Sequence, residues 1–527
     1  MNLYWGDMHA QFKPQWLGHD QWEQVLRRAF ESAREYLDFL PIVYYPAYFY
    51  NTPEGLHVES VGMKPEFEAE WQLIKRLAKE YHAAERFVTC AGYEWTGDRE
   101  RWGDCNVFFL QDDPPLDLSM HIDDLYAHLR ELDAIAVTHH PGYRVGDRGK
   151  DWDHLDEEVS PLVEVFSVHG SSEGCNTPRP MVQNAQMGPR VTGGTVQDGL
   201  ARGLRLGIIA SGDNGGGFAG KWGIGLLGVW AEELSREGLW EAFRARRTYG
   251  ITGDRIKLRF GLNEGFMGDV LQTAGPVKLW AEVEGTQALD RIEVIKNNRV
   301  VFTHCHNGSW DVPTSGTVRA KLPIEVGWGP TTRHGFPGGE HVWEGRLKLS
   351  AGQILAAEGC FTTHGQKLEQ VSPSEYSFHL VTILRGGGAV TDTSQQTVVF
   401  EVEAPVDAPI TLTVDGRQQT FTLAEALRRS ELIVFEEEAR DLVRSHFGID
   451  PDTVENPDAF YHNAYKVKRH AAIPQAGYTV RAEWQEESPG PGLEACPGRS
   501  FYYLRVSQLN GQLAWSSPIW IDQPDKQ

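Results

Sequence analysis

From Asn2 to about residue 252, two hydrophobic periods alternate along the chain and predict strands and helices in turn. Short apolar runs at Asn2–Trp5, Phe39–Val43, Phe87–Tyr93, Val107–Leu110, Ile135–Val137, Leu162–Ser167, Leu206–Ala210 and Leu226–Trp230 read as strands. Between them, Asp20–Leu37 carries Trp22, Val25, Leu26, Ala29, Phe30 and Ala33 at helical spacing. Lys64–His82 likewise puts Phe67, Trp71, Ile74 and Leu77 on one face. Ile122–Leu132, Thr195–Gly203 and Ser235–Arg246 read as further helices. Strands separated by helices call for crossover connections over a parallel sheet, so this part is expected to be an α/β barrel.

Near residue 253 the period drops to two. Val277–Val283, Ile292–Ile295 and Val300–Phe302 are alternating runs, with a turn signal at Lys296-Asn297-Asn298-Arg299. More strand-like runs follow near 345–350, 376–384, 397–403 and 409–414, a sandwich pattern. A charged helical stretch at 422–446 interrupts them, and Phe501–Val506 and Ser517–Ile521 close the chain as strands. The expected division is therefore residues 1–252 as the barrel and 253–527 as a β-rich, immunoglobulin-like sandwich with a helical insertion near 422–446.

Composition narrows the partners. At 527 residues, 41% hydrophobic and with 17 Trp, the chain can fill more than one core. Its formal net charge of -23 lacks the clustered Lys and Arg that nucleic acid or an anionic membrane requires. The same charge suits divalent cations, although a solvated acidic surface accounts for most of it. The six cysteines, Cys90, Cys105, Cys175, Cys305, Cys360 and Cys496, form no Cys-x-x-Cys pair, so reduced thiols are expected rather than a zinc knuckle or a disulfide scaffold. With no basic leader and no apolar run of bilayer length, the expectation is a cytoplasmic protein acting on a small-molecule substrate, with homo-oligomerisation open.

The chemistry sits where the apolar runs stop. Tyr4-Trp5-Gly6-Asp7-Met8-His9-Ala10-Gln11 ends the first run in Asp7 and His9. Glu94, His139-His140, Glu164, His169 and Asp213 follow later runs in the same way. In a barrel, the C-terminal strand ends share one rim, so these groups converge there. Imidazole with carboxylate suits Zn, Mn or Fe, and such a site polarises a substrate oxygen and acidifies water. Tyr44, Tyr45, Tyr48, Phe49, Tyr50, Trp95 and Trp102 follow the second and third strands. They could stack on a flat substrate or fill space, and a Tyr with a depressed pKa could carry a proton. Arg144, Arg148, Arg244, Arg246, Arg247 and Arg255 are candidates for anion binding; for the helix-end residues Arg244, Arg246 and Arg247 a dipole role competes. Gly215-Gly216-Gly217 is too short for a phosphate-cradling loop, and Ser171-Ser172 lacks the nucleophile-elbow pattern.

These residues also carry a resemblance. Gly6-Asp7-Met8-His9-Ala10-Gln11 resembles the opening Asp-x-His-x-His motif of the PHP (polymerase and histidinol phosphatase) superfamily, with Gln11 in place of the second His. Leu37–Tyr45 is similar to its second motif, Gly92-Tyr93-Glu94-Trp95 to the one holding a bridging Glu, Thr138-His139-His140-Pro141-Gly142 to the His-Pro motif, and Ser211-Gly212-Asp213-Asn214-Gly215 to the last. Glu232–Arg236, Arg244–Tyr249, Thr252–Ile256, Tyr502–Val506 and Ala514–Trp520 resemble a poorly characterised two-domain branch, so the likeness runs over nearly the whole chain. It implies a distorted (β/α)7 barrel with up to three metals at the strand ends. It implies a first metal at His9, Gln11, Glu94 and Asp213, with Gln11 a weak neutral ligand. It implies a second at Glu94, His140 and His169. The third is lost, because Tyr44 or Tyr45 and Gly215 stand at its ligand positions; His19 could partly substitute but reads more simply as a surface residue.

The expected activity is that of a metal-dependent, phosphoesterase-like hydrolase with one or two divalent metals (Mn, Zn or Fe), acting on a small phosphoester or other ester-like bond through metal-bound water. Asp7 or His139 would handle protons, and Arg144, Trp95, Arg247 and Arg255 would bind substrate. One alternative is a mononuclear-metal lyase or glycosidic-bond-cleaving enzyme using Tyr44 or Tyr45 on a carbohydrate-like substrate. Another is a catalytically decayed binding protein.

Overall fold

The computed structural model describes residues 1–13, 21–52, 55–59, 64–181, 187–214, 218–306, 310–327, 339–384, 393–453 and 465–524. His19 and Gly215–Gly217 lie outside them, as do the side chains of Tyr48, Phe49 and Tyr50. The chain forms two compact units. One comprises Met1–Glu284, Asp290–Cys305 and Val480–Gln527, and the other Gly285–Leu289 and His306–Thr479. This grouping differs from a single cut at 252/253, because strands late in the chain return to the first unit. Leu513–Ser516 pairs antiparallel with Thr248–Ile251, and Arg499–Gln508 pairs with Leu513–Ser516.

The first unit is mixed α/β and contains an eight-stranded sheet curled into a half-barrel. Ala10–Phe12, Ile42–Tyr44 and Ala91–Glu94 run parallel; Cys105–Phe108 then runs antiparallel to both its neighbours; Ile135–Thr138, Leu162–Ser167 and Gly207–Ala210 resume the parallel direction. A parallel bridge of Ala10 to Asn214 joins the two margins, with Asn214 N–H donating to His9 C=O at 3.2 Å and Gln11 N–H to Asn214 C=O at 3.2 Å. Asn2–Gly6 belongs to a second, nine-stranded sheet with Leu226–Ala231 and Thr248–Ile251.

Strand alternation decides which residues face inward. Val43, Leu162 and Ile209 join Met8, Phe108, Ile135 and Val137 in one buried cluster. Val163, Val165, Ile208 and Ala210 point the other way, onto Trp152, Val196, Leu200, Trp515 and Trp520. Glu164 shares the parity of Leu162, and Gln11 is in register with Val43, so both turn toward the same interior, where His9 meets Glu164. The helices form where the spacing predicted them. Trp22–Ala33 buries Trp22, Leu26, Ala29, Phe30 and Ala33, and Pro65–Tyr81, begun by a proline whose missing N–H costs the first turn nothing, buries Phe67, Trp71, Ile74 and Leu77.

The second unit contains two antiparallel sheets. One has the order Gln353–Cys360, Gln395–Pro405, Thr317–Gly327, Lys466–Arg469, Glu431–Val434, and the other Lys367–Ser372, Glu375–Leu384, Gly339–Leu349, Pro409–Val414, Arg417–Thr422. They meet at Phe400, whose ring lies 6.0 Å from Tyr376 and 6.2 Å from Phe378. The charged stretch at 422–446 is not one helix. Leu423–Ala426 and Glu436–Phe447 are helical, but Glu431–Val434 between them pairs with Lys466–Arg469 as an edge strand. Among the described residues no helix is long and apolar enough to cross a membrane, and all six cysteines are free thiols.

Candidate metal centre

The interior groups of the curled sheet meet in one buried cluster. His9 Nδ1 lies 2.9 Å from Glu164 Oε2, and its Nε2 lies 3.3 Å from Asp213 Oδ1 and 3.7 Å from Glu94 Oε2. His139 is packed edge-on between the rings of His9 and His140, at 4.2 and 4.3 Å. His140 in turn lies 4.4 Å from the ring of His169. His169 Nε2 is 2.9 Å from Asp213 Oδ2, while its Nδ1 is 2.6 Å from the Tyr143 hydroxyl. Three sets bring their ligand atoms within 4.8 Å of one another: His9, His139 and Asp213; Asp104, His139 and His140; and His140, His169 and Asp213.

Hydrogen bonding in this cluster is incomplete. Both ring nitrogens of His139, Nδ1 of His140, Oε1 of Glu164 and Oδ2 of Asp213 are buried without a hydrogen-bond partner. The Asp213–His169 approach is close but lacks hydrogen-bond alignment. Each such group costs about 1–3 kcal/mol when left unmade, and native interiors tolerate few of them. His140 and Asp213 also hold positive φ, 31° and 48°, in a region non-glycine residues seldom occupy. Unpaired imidazole nitrogens beside a carboxylate are the donor set of a divalent metal, so the residues present fit one.

Electrostatics divides the imidazoles. Burial alone would lower the His9 pKa, but Asp213 and Glu164 overcome it and raise it well above the ordinary value. Burial, reinforced by the charges of His9 and His140, drives His139 well below its ordinary range. His140 is lowered by burial and by His169. Burial would raise Asp213, yet His9 and His169 hold it well below the usual carboxylate range.

The other side of the cluster is a network of two guanidiniums and two carboxylates. Glu94 Oε1 accepts from Arg99 Nη1 at 3.1 Å, and its Oε2 accepts from the Gln11 amide at 2.6 Å. Arg148 grips Asp104, with Nε 2.9 Å from Oδ2 and Nη2 2.6 Å from Oδ1. Arg148 Nη2 is also 3.7 Å from Glu94, and Arg99 3.6 Å from Asp104, so two acids and two bases neutralise one another. A cation brought to this side would find both carboxylates already neutralised by guanidiniums, so their attraction for it is offset.

The structure brings together His9, Gln11, Glu94, His139, His140, Glu164, His169 and Asp213. Asp7 is beside them, but its carboxylate is taken by backbone: Oδ1 accepts from His9 N–H and Gly212 N–H at 2.9 Å each, and Oδ2 from Gly220 N–H at 2.8 Å. It organises the loops and is not placed to carry protons. Tyr44 points to the helix side, donating to Glu70 and stacking on Trp71, because it has the opposite parity to Val43. Tyr45 does face this network, 5.2 Å from the Arg99 guanidinium, but burial pushes its hydroxyl up to about 12 rather than down. Trp95 is fully buried and donates to Ser119 C=O. Arg144 is 72% exposed and pairs with Asp147. Arg247 lies at the opposite end of its sheet, where its C=O accepts from Trp230 N–H beside the start of the first strand. Arg255 donates to Tyr36 C=O and lies over Trp5. None of these four arginine or tryptophan side chains contacts the imidazole cluster.

Asp104, Arg99 and Tyr143 escaped the sequence reading. Asp104 precedes Cys105–Phe108, and because that strand is antiparallel its N-terminal end lies on the rim that the other strands reach with their C-terminal ends. Only the direction of that strand could have flagged it.

The family described as "Protein of unknown function (DUF3604)" matches residues 219–301. An uncharacterized protein of Chlamydia pneumoniae is 28% identical over 255 residues, covering 44% of this chain and 40% of that one. An uncharacterized protein of Chlamydia trachomatis is 24% identical over 268 residues, 47% of this chain and 42% of the other. The matched stretch thus spans about two fifths of those relatives. A two-domain protein from Bacteroides vulgatus ATCC 8482, described as containing a predicted PHP-like metal-dependent phosphoesterase, superposes with a TM-score of 0.32 at 14% identity, over 80% of this chain and 95% of that one.

Proposed function

We propose that this protein is a metal-dependent hydrolase acting on a small phosphoester or other ester-like bond. The observation that carries the reading is His139, buried with both ring nitrogens unpaired between His9 and His140 and within ligand reach of Asp213. We read the curled sheet, bridged at Ala10 and Asn214, as a distorted seven-stranded barrel with this cluster at its C-terminal rim.

His140, His169 and Asp213 form one set that would hold the ion, with His139 and His9 joining Asp213 in a neighbouring set. When bound, a divalent metal supplies Lewis-acid polarisation of a substrate oxygen and lowers the pKa of water. The chain's own residues do the rest. His9 holds a proton between Glu164 on its Nδ1 side and Asp213 on its Nε2 side, keeping both carboxylates oriented. Tyr143 fixes the His169 ring through Nδ1 and leaves Nε2 turned to Asp213. Arg148, with 20% of its side chain exposed, and His169, with 13%, are partly exposed members of the cluster.

The test is hydrolysis of a panel of phosphoesters and carboxylic esters with added Mn²⁺ or Zn²⁺. Turnover that needs metal and falls to background in His140→Ala is expected. Turnover indifferent to chelator and to that substitution would refute the proposal. A tyrosine-dependent lyase has less support, since Tyr44 is committed to Glu70 and burial holds the Tyr45 proton firmly.

A further inference from the structure

Glu94 stands among the expected ligands, at the end of Ala91–Glu94 and facing the interior. Its surroundings argue for a different role. Oε2 is capped by the Gln11 amide at 2.6 Å, and Oε1 by Arg99 at 3.1 Å with Arg148 at 3.7 Å. Asp104 is occupied in the same way by Arg148. Neither side chain of the Arg99–Glu94 pair is more than 6% exposed, so this is a desolvated ion pair. Neither oxygen of Glu94 is among the buried atoms without a partner, whereas the histidines and Asp213 supply several. None of the three ligand sets among the described residues includes Glu94. A cation on Glu94 would have to displace a guanidinium from a buried carboxylate and then lie beside it.

We propose that the centre is mononuclear: one divalent ion held by His140, His169 and Asp213, while Arg99 and Gln11 take the place of a second ion on Glu94. The proposal rests on the metal-dependent reading above and fixes its stoichiometry. The positive charge that another ion would provide is built into the chain as guanidinium, and it stays there whatever metal is supplied. Glu94 is thereby a positioning residue: it orients Arg99 and the Gln11 amide.

The full-length protein, dialysed against excess Zn²⁺ or Mn²⁺ and then against metal-free buffer, is assayed by elemental analysis, and a Mn²⁺-soaked crystal is examined for anomalous peaks. One equivalent and one peak, bonded to His140, His169 and Asp213 and not to Glu94, is the expected result. The paired substitution Glu94→Gln with Arg99→Gln removes both charges together and should still bind one equivalent. His140→Ala should weaken binding by more than the roughly 10–100-fold typical of losing an outer-shell partner. Two equivalents in the wild type, or a peak bonded to Glu94, would overturn the mononuclear proposal and leave the metal-dependent reading standing. No bound metal would overturn both. If the paired variant does not fold, the wild-type stoichiometry and peak positions decide alone.

Discussion

Two buried charged clusters in the first unit are built on opposite principles. Around Glu173 every bond is made. Oε1 accepts from the Tyr503 hydroxyl at 2.9 Å and Arg505 at 2.8 Å, Oε2 accepts from Trp515 Nε1 at 2.9 Å, and Arg505 also pairs with Glu293 at 2.9 Å. Around His139 donors and acceptors are left over. Both clusters are desolvated and both follow from strand ends, so burial and charge do not tell them apart. Completeness does. A closed network holds strands together and has no capacity for a ligand, whereas an open one carries a standing cost that a ligand would remove.

Four substitutions would break or sharpen that contrast. The largest effect on stability is expected from Glu173→Ala, which strands Trp515 N–H and the Tyr503 hydroxyl. A loss of about 3–5 kcal/mol in denaturant unfolding is expected, with metal stoichiometry unchanged in the protein that remains folded. A loss below 1 kcal/mol would mean the closed network is not what ties those strands. Next, Tyr143→Phe removes the hydroxyl on His169 Nδ1 and should weaken metal binding by about 10–100-fold in a chelator competition, without lowering stability comparably. Equal affinity would show that His169 needs no orienting partner.

A smaller effect, set by pH, is expected from His139→Leu in the metal-free protein. The folded pKa of His139 is depressed, so below about 6.5 the unfolded chain takes up a proton that the folded chain refuses. Wild type should therefore lose stability relative to the variant as pH falls from 7 toward 5, by at most about 1.4 kcal/mol per pH unit. Parallel profiles would remove the argument that His139 is held neutral. The smallest effect belongs to Arg144→Ala. Its side chain is exposed and pairs only locally with Asp147, so turnover should be unchanged and stability should shift by less than about 1 kcal/mol. A large rise in KM would restore Arg144 as a substrate contact.

Much of the candidate centre was legible because it obeys a local rule. A polar residue that ends an apolar run lies at or just past a strand end, so Asp7, His9, Glu94, His139 and Asp213 declare a common rim. Strand parity sorted Tyr44 outward, but only once the inward residue Val43 was known. Spacing leaves Trp95 open between stacking on a substrate and filling space, because an aromatic after a strand looks alike in sequence whether it faces solvent or, as here, Ser119 C=O inside. In the 422–446 stretch, helical composition hid the strand Glu431–Val434, whose pairing partner lies over thirty residues downstream.

By itself the sequence determined the alternation of strands and helices to about residue 252, the sandwich-like strands that follow, and the identity of the inward imidazoles and carboxylates. These depend on spacing within a few residues, where geometry is fixed by the backbone period. Only the tertiary structure decided which of those groups have partners. Asp7 is satisfied by the N–H groups of Gly212 and Gly220, far along the chain; Glu94 by Arg99 and Gln11; and His139 by nothing within hydrogen-bonding reach. Hydrogen bonding is settled at distances of about 3 Å between residues that can be hundreds apart in sequence. No local pattern encodes it, and it is what separates a structural carboxylate from a ligand.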